Sequence, residues 1–406
     1  MVAHVVSAVA PLSPEKTVII ISPKMPEVQD YLQNNKQIDF STQDEQLGTG
    51  HAVFCTKEHF TEYKEKILIL YGDTPLITTQ TLEKLLNYGK DADIAVLGMQ
   101  MQNPTGYGRL LTDSSGKLHN IIEEKDANNA ERTITLCNSG IMTISGKHIF
   151  TLLGKLQPNN NAGEFYLTDI IKIANEQGLH CKVIIAEAEE LAGVNNRSQL
   201  ANAEATIQNR LRVKFMTEGV TLIHPESVFF QTDTKIASDV IIHPNVIFGA
   251  GVAIETGVEI RSFSHIEGAV IKENAIIGPF ARLRNGSIIG KNSHIGNFVE
   301  IKNSNFGDGA KANHLSYIGD AQVGKKANIG AGTITCNYDG VHKHKTTIGD
   351  GAFIGSNTAL VAPITIGKNA IVGAGSVINK FVPDDNLSVA RAVQVNKIKR
   401  IISKKD

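Results

Sequence analysis

Tryptophan is absent from the 406 residues, cysteine occurs four times, and positive and negative charges nearly cancel. Each shortage excludes something. Cys55, Cys137, Cys181 and Cys336 follow no zinc or redox spacing, which sets aside a disulfide scaffold and a structural metal knuckle. Free, mostly buried thiols in a reducing cytoplasm are the expectation. With 40 basic and 41 acidic residues, no chain-wide field draws the protein to nucleic acid or to a membrane surface. No apolar run reaches the roughly 20 residues of a membrane helix. The opening MVAHVVSAVA has neither the basic leader nor the long apolar core of a signal peptide.

What is present points to more than one core. A chain of 406 residues is too long for a single ordinary domain. Residues 1–195 alternate strand-like and helix-like text. TVIII (17–21), KILILY (66–71) and ADIAVLGM (92–99) are short runs rich in Val, Ile and Leu, as in strands covered on both faces. TTQTLEKLLNYG (78–89) reads as a helix closed by glycine. The alternation predicts an α/β domain with a mostly parallel sheet. Residues 196–219 read as one linker helix, with Leu200, Ala203, Ile207, Leu211 and Phe215 on one face and Gly219 at its end.

The period then changes to six. Ile236, Ile242, Phe248, Ile254, Ile260 and Ile266 form one row. Ile271, Ile277, Leu283, Ile289, Ile295 and Ile301 form a second, and Ile348, Ile354, Leu360, Ile366, Val372 and Ile378 a third. Neither an α-helix nor an ordinary strand repeats every six residues. A parallel β-helix does, because each hexad is one flat side and each coil stacks on the next. Its narrow core suits aliphatic residues rather than tryptophan, and its corners suit the 36 glycines. The column is expected over 220–382, with a tail at 383–406 that ends in the basic KIKRIISKKD. That tail reads as a solvated end or as a contact to an anionic ligand.

Two segments break the beat, NSNFGDGAKANHLSY (303–317) and CNYDGVHKHK (336–345), and both read as loops displayed on the rigid column. The first carries His314, which alone could be a surface or packed loop histidine. Glu300 and Lys302 flank Ile301, and Arg284 lies three hexads before Lys302, so the two cations are expected to stack around an anion such as a sugar phosphate.

NIGAGTITCNYDG (328–340), KANHLSYIGD (311–320), GPFARLR, GNFVEIKN and LVAPITIG closely resemble the C-terminal half of the bacterial bifunctional enzymes that make UDP-N-acetylglucosamine. These join a glucosamine-1-phosphate N-acetyltransferase to an N-acetylglucosamine-1-phosphate uridylyltransferase. The resemblance implies a left-handed hexapeptide-repeat β-helix, a cytoplasmic homotrimer with an acetyl site shared between neighbours, and acetyl-CoA as co-substrate. It implies that His314 is the general base, with Glu300 expected to orient it. It assigns Arg284, Lys302, Tyr317 and Asn328 to the sugar phosphate. Ala331, Asn337, Tyr338, Ser356, Ala374 and Arg391 fall to acetyl-CoA and the acceptor.

Residues 1–195 resemble the uridylyltransferase half, a Rossmann-like nucleotidyltransferase domain. QDEQLGTGHA (43–52), YGDTPL (71–76), NPTGYGR (103–109), IIEEKDA (121–127), NSG (138–140) and GVNNR (193–197) carry that likeness. It implies uridine-nucleotide contacts at Gln43, Gly48, Thr49, Tyr71, Gly72, Asp73, Gly108, Glu123, Asn138 and Asn195. Asp73 and Asn195 would hold Mg²⁺ for attack of N-acetylglucosamine 1-phosphate on UTP. The family's opening strand and its Leu-x-x-Gly-x-Gly-Thr-x-Met loop have no counterpart here. The expectation is therefore an N-terminally shortened chain with an open apolar groove in its sheet and weakened uridylyl transfer. A non-catalytic sugar-nucleotide-binding or regulatory subunit on the same fold is the alternative.

Overall fold

A computed structural model describes residues 1–398, so the basic end at 399–406 lies outside the described residues. The chain divides into two compact units, Met1–Thr206 and Ile207–Asp406. No helix among the described residues is long and apolar enough to cross a membrane. All four cysteines are free thiols, Cys137 and Cys181 buried, Cys55 and Cys336 half-buried.

The first unit is an α/β domain whose sheet is in two pieces. Strand β1 (Thr17–Ile21) pairs in parallel with β2 (Ile38–Thr42). The other piece holds β3 (Lys66–Ile69), β4 (Ile94–Gln100), β5 (Arg109–Thr112), β6 (Leu118–Ile122), β7 (Leu136–Ser145) and β8 (Cys181–Ile185). Within this second piece the expected parallel order holds only for β4 with β8. Strand β7 runs antiparallel to β3, β4 and β5, and β5 runs antiparallel to β6. The β5–β6 hairpin and the long β7 follow one another without a full crossover helix, and antiparallel neighbours need none. The helix Thr79–Tyr88 forms as its sequence predicts, with the Thr78 hydroxyl accepting from the Thr81 N–H at its start.

Between β1 and β3 runs a mostly apolar cavity of about 690 Å³. Val18, Ile19 and Ile20 form one wall, and Ile67, Leu68 and Leu70 the other. Residues of the helix Val2–Val9 line it as well. The groove expected from the sequence is there, and it reaches Gly72 and Asp73.

The second unit is a left-handed parallel β-helix of three sheets with eight, ten and eight strands. Every member of the three apolar rows is buried except Ile236, which is half-buried. Each inward side chain rests on its counterpart one coil away, as Leu283 does on Ile301. The Arg197–Thr217 helix sends Phe215 against Phe230, which stacks on Phe248, and this aromatic plug closes the first coil. Polar Gln208 and Arg212 are also buried on that helix. They bond to the Phe230 and Val228 carbonyls, so the inner face is less purely apolar than its spacing suggests.

Two expectations about the column change. Residues 303–317 are not a displayed loop. Asn305–Phe306, Lys311–His314 and Tyr317–Gly319 are ordinary coil strands, and Phe306, Ala312 and Ile318 continue the buried row. A large and a small side chain share the core where the beat seemed to fail. The column also passes residue 382, since Leu387–Ser388 pairs with Ile371–Val372. Residues 336–345 do leave the coil: Ala321 pairs with Thr346, whereas Ala312 pairs with Ile329.

Candidate active site

The acetyl-site residues form a line. Coil register sets Asn297 beside His314. On successive coils the Leu315 N–H donates to the Asn297 carbonyl, the Asn357 N–H to Ala331 and the Gly375 N–H to Ser356. Arg391 Nη1 then reaches the Ala374 carbonyl at 2.6 Å. Asn297, His314, Ala331, Ser356, Ala374 and Arg391 therefore climb one corner of the column. The residues in the middle of the line are small, with an imidazole at one end and a guanidinium at the other.

His314 is exposed, and its Nδ1 lies 2.6 Å from Asn297 Oδ1. An amide oxygen accepts there, so Nδ1 carries the proton and Nε2 keeps its lone pair free. Glu300 does not orient His314. It pairs with Tyr317 in register and takes a hydrogen bond from Arg284 Nη1 at 2.9 Å. The physical reason is register: Glu300 lies on a different sheet of the column from His314, and one coil back from His314 stands Asn297. From Asn297 to His314 the coil closes in 17 residues rather than 18, which brings the amide beside the imidazole.

Arg284 and Lys302 sit on adjacent coils, but they do not face each other as bare cations. The Glu300 carboxylate holds the Arg284 guanidinium and raises its pKa. The like-charged neighbour of Lys302 is Lys343 from the excursion, and the Lys302 ammonium lowers the Lys343 pKa. Asp320 lies with them. Burial works against its charge. Hydrogen bonds from Asn303 and Asn337, with the Lys302 and Lys343 charges, still hold it below the usual carboxylate range. Asn337 donates to Asp320 Oδ2 at 2.5 Å. Tyr317 and Asn328 are half-buried on neighbouring sheets, and Tyr338 is exposed on the excursion. Sequence reasoning missed Asn297, Asp320 and Lys343. Counting coils of 17 would have found the first, and the HKHK run signalled the last.

In the first unit the nucleotide residues also converge. Tyr71 is half-buried, and desolvation first, then the Glu123 charge, pushes its phenol up to about 12. Thr49 hydrogen-bonds to Tyr71. Burial likewise raises Glu123, which accepts from Thr168 Oγ1 at 3.0 Å. A side chain at Gly108 would meet Glu123 Oε2 at 3.2 Å, and the Asn138 N–H donates to the Gly108 carbonyl. Gly140 has φ +83, and the Tyr71 ring fills the space of its missing Cβ. Gly48 has φ +112 and lies against the Phe165 backbone, while Gln43 Nε2 donates to its carbonyl at 3.1 Å. A Cβ on Gly193 would stand 3.9 Å from both Asp73 Oδ2 and the Asn195 amide, so those two side chains share one place. No group of three or more His, Cys, Asp or Glu able to hold a metal occurs among the described residues. One carboxylate with one amide suits Mg²⁺, which takes few protein ligands and keeps its waters.

The comparisons agree with both units. The family model for nucleotidyl transferases matches residues 1–189. The bacterial transferase hexapeptide model, six repeats, matches 268–303 and 345–380 and leaves out the stretch that carries His314 and the excursion. The bifunctional protein GlmU of Zymomonas mobilis is 50% identical over 98% of this chain and 89% of its own length. That of Paramagnetospirillum magneticum is 48% identical over 97% and 88%, and that of Agrobacterium fabrum 46% over 99% and 89%. With nearly the whole chain aligned, these matches lend no support to the expected N-terminal shortening.

Proposed function

The chain belongs to the family of the bifunctional protein GlmU, and on that premise we propose that it N-acetylates glucosamine 1-phosphate with acetyl-CoA. The observation that carries this is the single line of residues from Asn297 to Arg391. Lys302 and Lys343, with Arg284 close by, hold the sugar phosphate and aim the 2-amino group at the thioester. The pantetheine arm lies along Ala331, Ser356 and Ala374, and Arg391 meets the CoA phosphates. The amine nitrogen adds to the acetyl carbonyl while His314 Nε2 takes its proton. The tetrahedral oxyanion then collapses, and CoA leaves as a thiolate that is protonated. Asn297 keeps the imidazole in the tautomer that can accept.

The same reading includes a cytoplasmic homotrimer. Phe263, Phe280 and Phe298 stack along one corner at 4.9 and 5.2 Å, exposed to solvent. All three, with Leu315, have φ between +48 and +62. At the same kind of corner elsewhere the column uses Asn274, Asn292, Asn357 and Asn369. A bulky residue in that conformation costs about 1–2 kcal/mol, and an apolar ladder left in water gains nothing back. Burial against two further copies offsets that cost and places neighbouring chains beside His314.

The first unit is read as the uridylyltransferase. Asp73 and Asn195 would hold Mg²⁺, which would neutralise phosphate charge, and Thr49, Tyr71, Glu123 and Asn138 would surround the sugar nucleotide. Product analysis tests the proposal: full chain with acetyl-CoA and glucosamine 1-phosphate should yield the N-acetylated sugar phosphate and free CoA. A folded trimer that binds both and forms neither would point to a binding subunit.

A further inference from the structure

We propose that Asp339 is a positioning residue for the sugar-phosphate site: it clamps the 336–345 hairpin so that Lys343 is held against Lys302. The proposal rests on the acetyl-transfer reading and names a group which that reading does not use.

The hairpin is short and closes on itself. Asp339 Oδ1 accepts the N–H groups of Val341 at 2.8 Å and His342 at 2.6 Å. Its Oδ2 lies 2.6 Å from His344 Nε2. One carboxylate thus gathers three donors from the five residues that follow it. Tyr338 and Lys343 form an antiparallel bridge, the His344 N–H donates to the Asn337 carbonyl, and Gly340 turns the tip at φ +101. The coil grips both ends of the excursion. Asn337 bonds to Asp320, and the Thr346 N–H donates to the Asp320 carbonyl. Lys343 lies between those ends, on the strand that Asp339 folds back.

The placement matters because Lys343 stands where its own charge disfavours it. Lys302 is close enough to lower the Lys343 pKa, and Asp320 compensates only in part. With Asn303, Asp320, His344 and Lys345, Lys343 lines a cleft of about 410 Å³. Lys302 pairs in register with Gly319 and its carbonyl accepts the Asp320 N–H, so it adjoins the cleft that Lys343 lines, and cations gathered there form a ready seat for a phosphate dianion. Without the clamp the hairpin opens, the lysines separate, and the anion loses one of its charged donors.

The test uses the full chain and two readouts, calorimetric binding of glucosamine 1-phosphate and steady-state CoA release. Asp339→Ala should weaken binding and raise KM for the sugar phosphate about ten-fold. Its kcat should stay within about two-fold of the parent, and its KM for acetyl-CoA should change less than its KM for the sugar phosphate. Asp339→Asn keeps an oxygen for the two N–H groups and should recover part of the loss. In a Lys343→Ala background Asp339→Ala should add almost nothing, since both changes remove the same contact. Unchanged affinity, a fall in kcat at constant KM, or full additivity with Lys343→Ala would each overturn the clamp. An unmodified chain that binds the sugar phosphate but never acetylates it would sink the acetyl-transfer reading and leave the affinity test in force.

Discussion

The two units treat strand edges in opposite ways. In the column a strand is paired on both sides by the coils before and after it, so Ile276–Ile277 joins Glu259–Ile260 and His294–Ile295. In the α/β unit, among the described residues, β1 pairs only with β2 and β3 only with β7, and their other edges face one apolar cavity. A repeat meets its backbone hydrogen-bond demand with more of itself. A sheet with a gap in it does not. The acetyl site therefore hangs on a frame complete within its own unit, while Asp73 and its neighbours hang on one that is open.

Changing His314 should break this comparison most sharply. His314→Ala is expected to cut CoA release by about 10²–10⁴ and leave the melting of both units unchanged. Retention of most activity would place the base elsewhere. Next in size, Phe298→Asp should turn the trimer into monomers by analytical ultracentrifugation, since a charge cannot be buried at the seam. A trimer that survives would show that the Phe263–Phe280–Phe298 ladder is not the contact. Hydrogen exchange sharpens the contrast directly. Amides of β1 and β3 should exchange at least about ten-fold faster than those around Ile277, Ile295 and Ile301, because they can open without the rest of the core. Equal protection would mean that the groove costs the sheet nothing.

The smallest effect concerns Asp320. Its carboxyl titrates below the usual range in the folded chain. The stability it contributes is therefore complete above the ordinary aspartate pKa of about 3.9 and is lost as pH falls through the lower folded value. Asp320→Asn should flatten that acid limb in the column's unfolding curve. An unchanged limb would mean that the Asn303, Asn337 and lysine contacts leave its titration where it is in the unfolded chain.

Much of this was legible in the sequence, for reasons that differ by element. The apolar rows could be read because six-residue spacing is imposed by the width of a flat side, and Ile271 to Ile301 obey it without exception. TVIII could be read because its length and β-branching leave little else. The antiparallel β7 could not, since an apolar run does not declare the direction of its neighbours. His314 was found, but its partner was not. A coil of 18 residues would set Gly296 opposite His314, a coil of 17 sets Asn297 there, and Glu300 falls beside Tyr317 on another sheet; hydrophobic periodicity does not register that step. The Phe306–Ala312 pair looked like a loop because the core accepts a volume trade that a rule of identical residues does not foresee.

The central claim is that the column carries a working acetyltransferase whatever the state of the other sheet. The most direct measurement sets two rates side by side on the same full chain: thiol release from acetyl-CoA with glucosamine 1-phosphate, and pyrophosphate release from UTP with N-acetylglucosamine 1-phosphate. The account predicts steady thiol release that His314→Ala abolishes while pyrophosphate release is unchanged. A folded trimer that releases pyrophosphate readily and no thiol would contradict it.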